Sequence, residues 1–183
     1  MAEPNPEVLF DQGKEILDFA VSGGGGAFRG DSLEAKKYYI QAKEYFEKAC
    51  NLNYAKGCVS LGYLYEGENL VIRREPRLKK RLEKAIQYYS KACDLNDKFG
   101  CSKLGAMQYI GKGVVKNEKQ AAEKFEKACK LGKQEACEMV TYKGLCELGH
   151  KEACEIFSLE VLCESSDQKA CSMYYDKQKA LGF

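Results

Sequence analysis

Five times along the chain one nine-residue unit recurs: CNLNYAKGC at 50–58, CDLNDKFGC at 93–101, CKLGKQEAC at 129–137, CELGHKEAC at 146–154 and CESSDQKAC at 163–171. These blocks hold all ten cysteines, and each pair has the spacing Cys-x7-Cys: Cys50 and Cys58, Cys93 and Cys101, Cys129 and Cys137, Cys146 and Cys154, Cys163 and Cys171. A unit repeated so closely marks a repeat protein, whose copies bury their apolar faces against one another.

Each block reads as a turn between two helices. A stretch rich in Ala, Lys, Glu and aromatics precedes the first cysteine, as in AKEYFEKAC, AIQYYSKAC and AAEKFEKAC. Three residues after it stands Asn53, Asn96, Gly132 or Gly149, residue types that accept the left-handed conformation ending a helix. Leu52, Leu95, Leu131 and Leu148 come just before, placed to cover the turn. A small residue (Gly57, Gly100, Ala136, Ala153 or Ala170) precedes the second cysteine and lets two helices approach. The two thiols therefore face each other across a helical hairpin. The last block departs, with Ser165 and Ser166 where Leu and Asn or Gly are expected.

Zinc sites favour cysteines two to four apart or a histidine nearby, and the only histidine is His150. An even count at fixed spacing favours disulfides. Closing a loop of roughly nine residues contributes about 2.6 kcal/mol in the chain-entropy picture. Such bridges place the protein outside a reducing cytosol, secreted or periplasmic. No metal and no cofactor is expected.

First cysteines lie 43, 36, 17 and 17 residues apart. A period near 36 is two helices and two turns, and 17 is one helix and one turn. In the tail, Cys137 and Cys146, like Cys154 and Cys163, stand nine residues apart on one helix. Nine steps of about 100° end half a turn out of phase, so the two thiols point to opposite faces. Each tail helix can then be stapled to both neighbours. The organisation expected is one repeat domain over 1–183. It divides into a first hairpin with a Gly-rich loop (1–50), disulfide-linked two-helix repeats (51–136) and a tail with one helix per bridge (137–183).

Composition narrows the functions. A net charge of +2 argues against a nucleic-acid binder. No apolar run approaches the roughly 20 residues of a membrane helix.

The residues LGYLYEG at 61–67, YYSKACDLNDKFGC at 88–101 and LGAMQYIGKGVVKNEKQAAEKFEKAC at 104–129 resemble Sel-one-like repeats, relatives of tetratricopeptide repeats. With the strict Cys-x7-Cys, the chain is similar to the Helicobacter cysteine-rich proteins, secreted solenoids sometimes labelled β-lactamase-like. The chain departs from that pattern before residue 31, after Gly67 and beyond Cys137. The resemblance implies a right-handed superhelix with one bridge joining consecutive repeats. It also implies binding of penicillin-like compounds with slow hydrolysis in some members, and proposed roles in cell-wall or host interaction. It carries no catalytic residue onto this sequence.

Other features have competing readings. MAEPNPE lacks the basic and apolar regions of a signal peptide, so a mature N-terminus is expected. Gly23–Gly26 lack the Lys and Ser or Thr of a phosphate loop and read as a linker. Arg29-Gly30-Asp31 matches an integrin-recognition tripeptide, but Asp31 with Glu34 also reads as a helix capping box. The insertion 68–82 gathers Arg73, Arg74, Arg77 and Arg81 with Lys79 and Lys80, a candidate anion patch on a protruding loop broken by Pro76. Ser166-Asp167-Gln168-Lys169 fits the Ser-x-x-Lys of β-lactam chemistry, at a frequency chance supplies and without its companion motifs. Tyr63, Tyr65, Gln108 and Tyr109 fall on first helices of repeats and are candidate groove contacts.

The expectation is an all-α, α/α solenoid of Sel-one-like, tetratricopeptide-like hairpins stapled by disulfides, about five in number. It acts as a monomeric binding module for a protein, peptide or peptidoglycan-like ligand, such as a cell-wall fragment or host protein. The competing reading is a weak penicillin-binding, β-lactamase-like hydrolase.

Overall fold

The structure, a computed structural model, describes residues 3–22, 32–67 and 75–182. Those residues form nine helices and no strand: α1 (Pro6–Val21), α2 (Leu33–Asn51), α3 (Ala55–Gly67), α4 (Glu75–Asp94), α5 (Lys98–Ile110), α6 (Glu118–Lys130), α7 (Gln134–Glu147), α8 (Lys151–Glu164) and α9 (Gln168–Ala180). They group into two compact units, Met1–Leu95 and Asn96–Phe183. The fold class is the expected all-α, α/α solenoid of disulfide-stapled hairpins. The linker at 23–26 and the tripeptide at 29–31 lie outside the described residues.

Helix ends follow local chemistry. Asn5 Oδ1 accepts from the Glu7 N–H with Pro6 in the first turn, and Asp97 Oδ1 accepts from Phe99 and Gly100. The cap of α2 is Ser32, whose Oγ accepts from the Ala35 N–H at 3.1 Å, so the helix starts later than an Asp31–Glu34 box would place it. Left-handed backbone occurs at Asn53 and Asn96 (φ 61°) and at Gly132 and Gly149 (φ 97°). At the first of these turns Tyr54 N–H donates to Ala49 O and Asn53 N–H to Cys50 O, the pattern that closes the end of a helix. The expected protruding loop at 68–82 is corrected: from Glu75 the chain is already α4. Pro76 stands in the first turn, where its missing N–H would have no helical partner anyway.

Three hairpins share one packing device. A Cβ added at Gly13 would stand 2.8 Å from Cε1 of Phe46, at Gly62 2.3 Å from Cε1 of Tyr89, and at Gly105 2.9 Å from Cε1 of Phe125. Each glycine is thus a socket for the ring on the following helix. Phe46, Tyr89 and Phe125 stand four residues before a cysteine, and Gly62 and Gly105 stand four after one. At Gly57 an added Cβ would meet Ala49 Cβ at 2.9 Å, which is why a small residue precedes Cys58.

The tail lacks the socket. Four residues after Cys137 and Cys154 stand the exposed Thr141 and Ser158. Here α8 packs on α7, on α9 and also on α5, with Phe157 edge-on to Tyr109 (5.1 Å) and Phe125 (6.4 Å). All ten cysteines are disulfide-bonded. Cys50–Cys58, Cys129–Cys137, Cys146–Cys154 and Cys163–Cys171 bring Cα atoms to 4.4–4.7 Å. Helices α7 and α8 each carry two bridges, to a different neighbour from each end. Cys50 and Cys58 are fully buried, whereas the cysteines of the three tail bridges are half-buried.

Candidate functional site

Tyr63 and Tyr65 lie on α3. Tyr63 is exposed and meets Tyr89 edge-on at 5.8 Å. Tyr65 is half-buried and stacks on Tyr88 at 5.6 Å, with Lys43 Nζ 3.8 Å and Lys84 Nζ 5.3 Å from its ring centroid. Arg81 Nη2 donates to the Tyr65 carbonyl at 3.0 Å. Of the four arginines read as an anion patch, Arg81 thus ties α4 to α3, Arg77 is exposed on α4, and Arg73 and Arg74 lie outside the described residues.

Gln108 and Tyr109 lie on α5. Gln108 is buried, its backbone carbonyl accepting from Asn117 N–H at 2.8 Å, and its Oε1 has no hydrogen-bond partner among the described residues. Tyr109 is half-buried against Phe157, and burial pushes its phenol above the usual range, with Glu118 adding to the shift. Of this pair, only Tyr109 offers surface to a ligand.

The structure builds a polar cluster that the local sequence does not announce. Ser166 takes the left-handed conformation (φ 74°), unusual for a residue with a side chain. Lys103 Nζ, from a buried side chain on α5, donates to Ser166 Oγ at 2.6 Å. Lys112 Nζ donates to the Ser165 carbonyl at 2.6 Å. Lys133 Nζ donates to Ser102 Oγ at 2.9 Å and pairs with Glu164 Oε2 at 2.7 Å. Three ammonium groups therefore converge on the turn between α8 and α9. The carbonyls ending α8 carry partial negative charge, so the lysines act first as a C-terminal cap. The amine beside Ser166 is Lys103 and not the exposed Lys169 of the tetrapeptide motif.

One turn earlier on α8 sits Glu160, 3% exposed. Tyr174 Oη from α9 lies 3.2 Å from Glu160 Oε1 and 3.4 Å from Glu138 Oε2 on α7, and it accepts from Gln178 Nε2. A single hydroxyl proton serves only one of the two carboxyls at a time. Among the described residues Glu160 Oε2 has no hydrogen-bond partner. Burial above all, with Glu138 and Glu164 beside it, pushes the Glu160 carboxyl up to about 8, against the opposing pull of the Tyr174 hydrogen bond and Lys133. Burial likewise pushes the Tyr174 phenol far up, and Glu160 and Glu138 push it further. Glu160 is therefore held as the neutral acid at pH 7. Acid in an apolar run, IFSLEVLC, was the signal available for it. Among the described residues no three His, Cys, Asp or Glu side chains group as metal ligands would.

The Sel1 repeat family model matches residues 22–54, 55–97 and 99–133. Among solved structures the chain is similar to Helicobacter pylori cysteine rich protein B, at 40% identity over 73% of this chain and 96% of that one, with a TM-score of 0.48. It shares its fold with a Sel1 repeat protein from Oxalobacter formigenes (17% identity, 74% and 94% covered, TM-score 0.50). A protective antigen of uropathogenic Escherichia coli with the same repeat fold is 22% identical, with 90% of this chain and 38% of the antigen covered and a TM-score of 0.50. No curated protein matches the chain.

Proposed function

This chain belongs to the Sel1 repeat family, and from that premise we propose that it is a disulfide-clamped interaction module, secreted or periplasmic, for a protein or peptide. Sel1 repeats mediate protein interactions. The observation that carries the reading is that all ten cysteines are bridged, with a bridge across the turn wherever its geometry is described. A surface held this way has little freedom left to lose on binding, which is where preorganised binders gain affinity. A disulfide framework of this kind also belongs to an oxidising compartment. No helix among the described residues is long and apolar enough to cross a membrane.

The test is a peptide array and purified cell-wall sacculi probed with the oxidised protein and with its reduced, alkylated form. Binding by the oxidised form alone is expected. Equal retention of both, or retention of neither, overturns the module.

A second reading is acylation by β-lactams, favoured by the 2.6 Å approach of Lys103 Nζ to Ser166 Oγ. Incubation with a labelled penicillin followed by intact mass separates the two. An interaction module leaves the mass unchanged, whereas a stoichiometric adduct that is absent from Ser166→Ala makes Ser166 a nucleophile.

A further inference from the structure

Between α6 and α7 the surface opens into a cleft of about 200 Å³. Its floor is Ala122, Phe125, Val140 and Gly144, and its rim is Glu126, Lys143 and Glu147. Gly144 is the telling member. Gly13, Gly62 and Gly105 are glycines because a ring fills the space of their side chain, but an added Cβ at Gly144 would find no heavy atom within 4 Å. A glycine inside an exposed helix destabilises it relative to alanine. No packing contact accounts for it here. What it does is leave one wall of the cleft bare.

Size and charge then select the occupant. Sites for drug-sized ligands run to roughly 300–1,000 Å³. This cleft is smaller, on the scale of one aliphatic side chain. Lys143 is already ion-paired with Glu147, while Glu126 is exposed on the α6 rim and makes no ion pair among the described residues. The rim is therefore left with one uncompensated negative charge beside an apolar floor.

We infer that the α6–α7 cleft receives an aliphatic side chain of a partner peptide whose neighbouring lysine or arginine pairs with Glu126. The inference rests on the interaction-module reading and gives that module one contact point.

The probe is a blocked Gly-Leu-Lys-Gly peptide titrated into the oxidised full chain, with amide shifts followed by NMR. Shifts centred on Ala122, Val140 and Gly144 are expected. Gly144→Leu should plug the cleft and weaken binding more than tenfold. Glu126→Gln, which leaves the floor intact, should weaken it about two- to fivefold, the scale of an exposed ion pair. A Gly-Leu-Glu-Gly peptide that binds equally well, or shifts that survive Gly144→Leu, would overturn the cleft. If the shifts map elsewhere, the cleft falls and the module stands. If neither this peptide nor any on the array binds, both fall.

Discussion

In hairpin α3–α4 the helices are held by shape: Tyr89 fills the space where Gly62 has no side chain, and the preceding bridge, Cys50–Cys58, is fully buried. In the tail α7–α9 the corresponding positions are Thr141 and Ser158, both exposed, and half-buried bridges cross both turns. The difference shows covalent closure standing in for interlocking side chains. With that help the tail tolerates an interior that shape alone would not support, including the unpartnered oxygen of Glu160 and the Lys133–Glu164 pair. Buried polar groups left unsatisfied cost about 1–3 kcal/mol each.

Acidity tests this contrast hardest. Glu160 keeps its proton in the folded tail up to about pH 8, whereas the unfolded chain releases it near 4.5. Between those values the unfolded state binds fewer protons, so stability falls as pH rises. Over that whole window the loss accumulates to about 3–4 kcal/mol, which makes this the largest expected effect. Urea midpoints at pH 5 and pH 8 should differ in the native protein and converge in Glu160→Gln; an unchanged pH response in the variant would remove Glu160 from the account.

Next comes the staple itself. Replacing Cys146 and Cys154 together by serine should cost about 2–3 kcal/mol in chemical denaturation. Under limiting reductant, differential alkylation and mass mapping should find the half-buried tail bridges open before Cys50–Cys58. Buried sulfur opening first would cancel the distinction between the regions.

Gly62→Ala should destabilise by about 2 kcal/mol, since its Cβ would stand 2.3 Å from the Tyr89 ring. Ser158→Ala, its exposed counterpart in the tail, should stay within about 0.5 kcal/mol. Thermal melts of the two variants compare socket with staple directly. The smallest effect has the opposite sign: Gly144→Ala should stabilise by about 0.5–1 kcal/mol, because nothing occupies the space above it.

Much of this was legible in the chain because it is local. The helix ends at Asn53, Asn96, Gly132 and Gly149 follow from which residues tolerate positive φ, and the phase of the tail cysteines follows from helical geometry. Ser166 was not legible, since serine has no preference for the backbone it adopts; tertiary contacts with Lys103 and the cap at Asp167 accompany it there. Lys103 and Ser166 are 63 residues apart, and the one local hint is a lysine inside the apolar stretch GCSKLGAM. Asp31 and Ser32 are both competent helix caps, and only the structure assigns that bond to Ser32. The sockets were half-visible: glycine four after a cysteine and an aromatic four before one is a pattern, but its meaning appears only when the two helices meet.

The double stapling of α7 and α8 has a consequence for survival among proteases. Proteases nick exposed turns most readily. Each turn from α6 to α9 is enclosed by a bridge: Cys129–Cys137, Cys146–Cys154 and Cys163–Cys171. A cut at Gly132, Gly149 or Ser166 would break the backbone without releasing a fragment. These three turns are thus places where cleavage detaches nothing, and a molecule nicked at all three would keep its mass, apart from the added water, until its sulfurs were reduced.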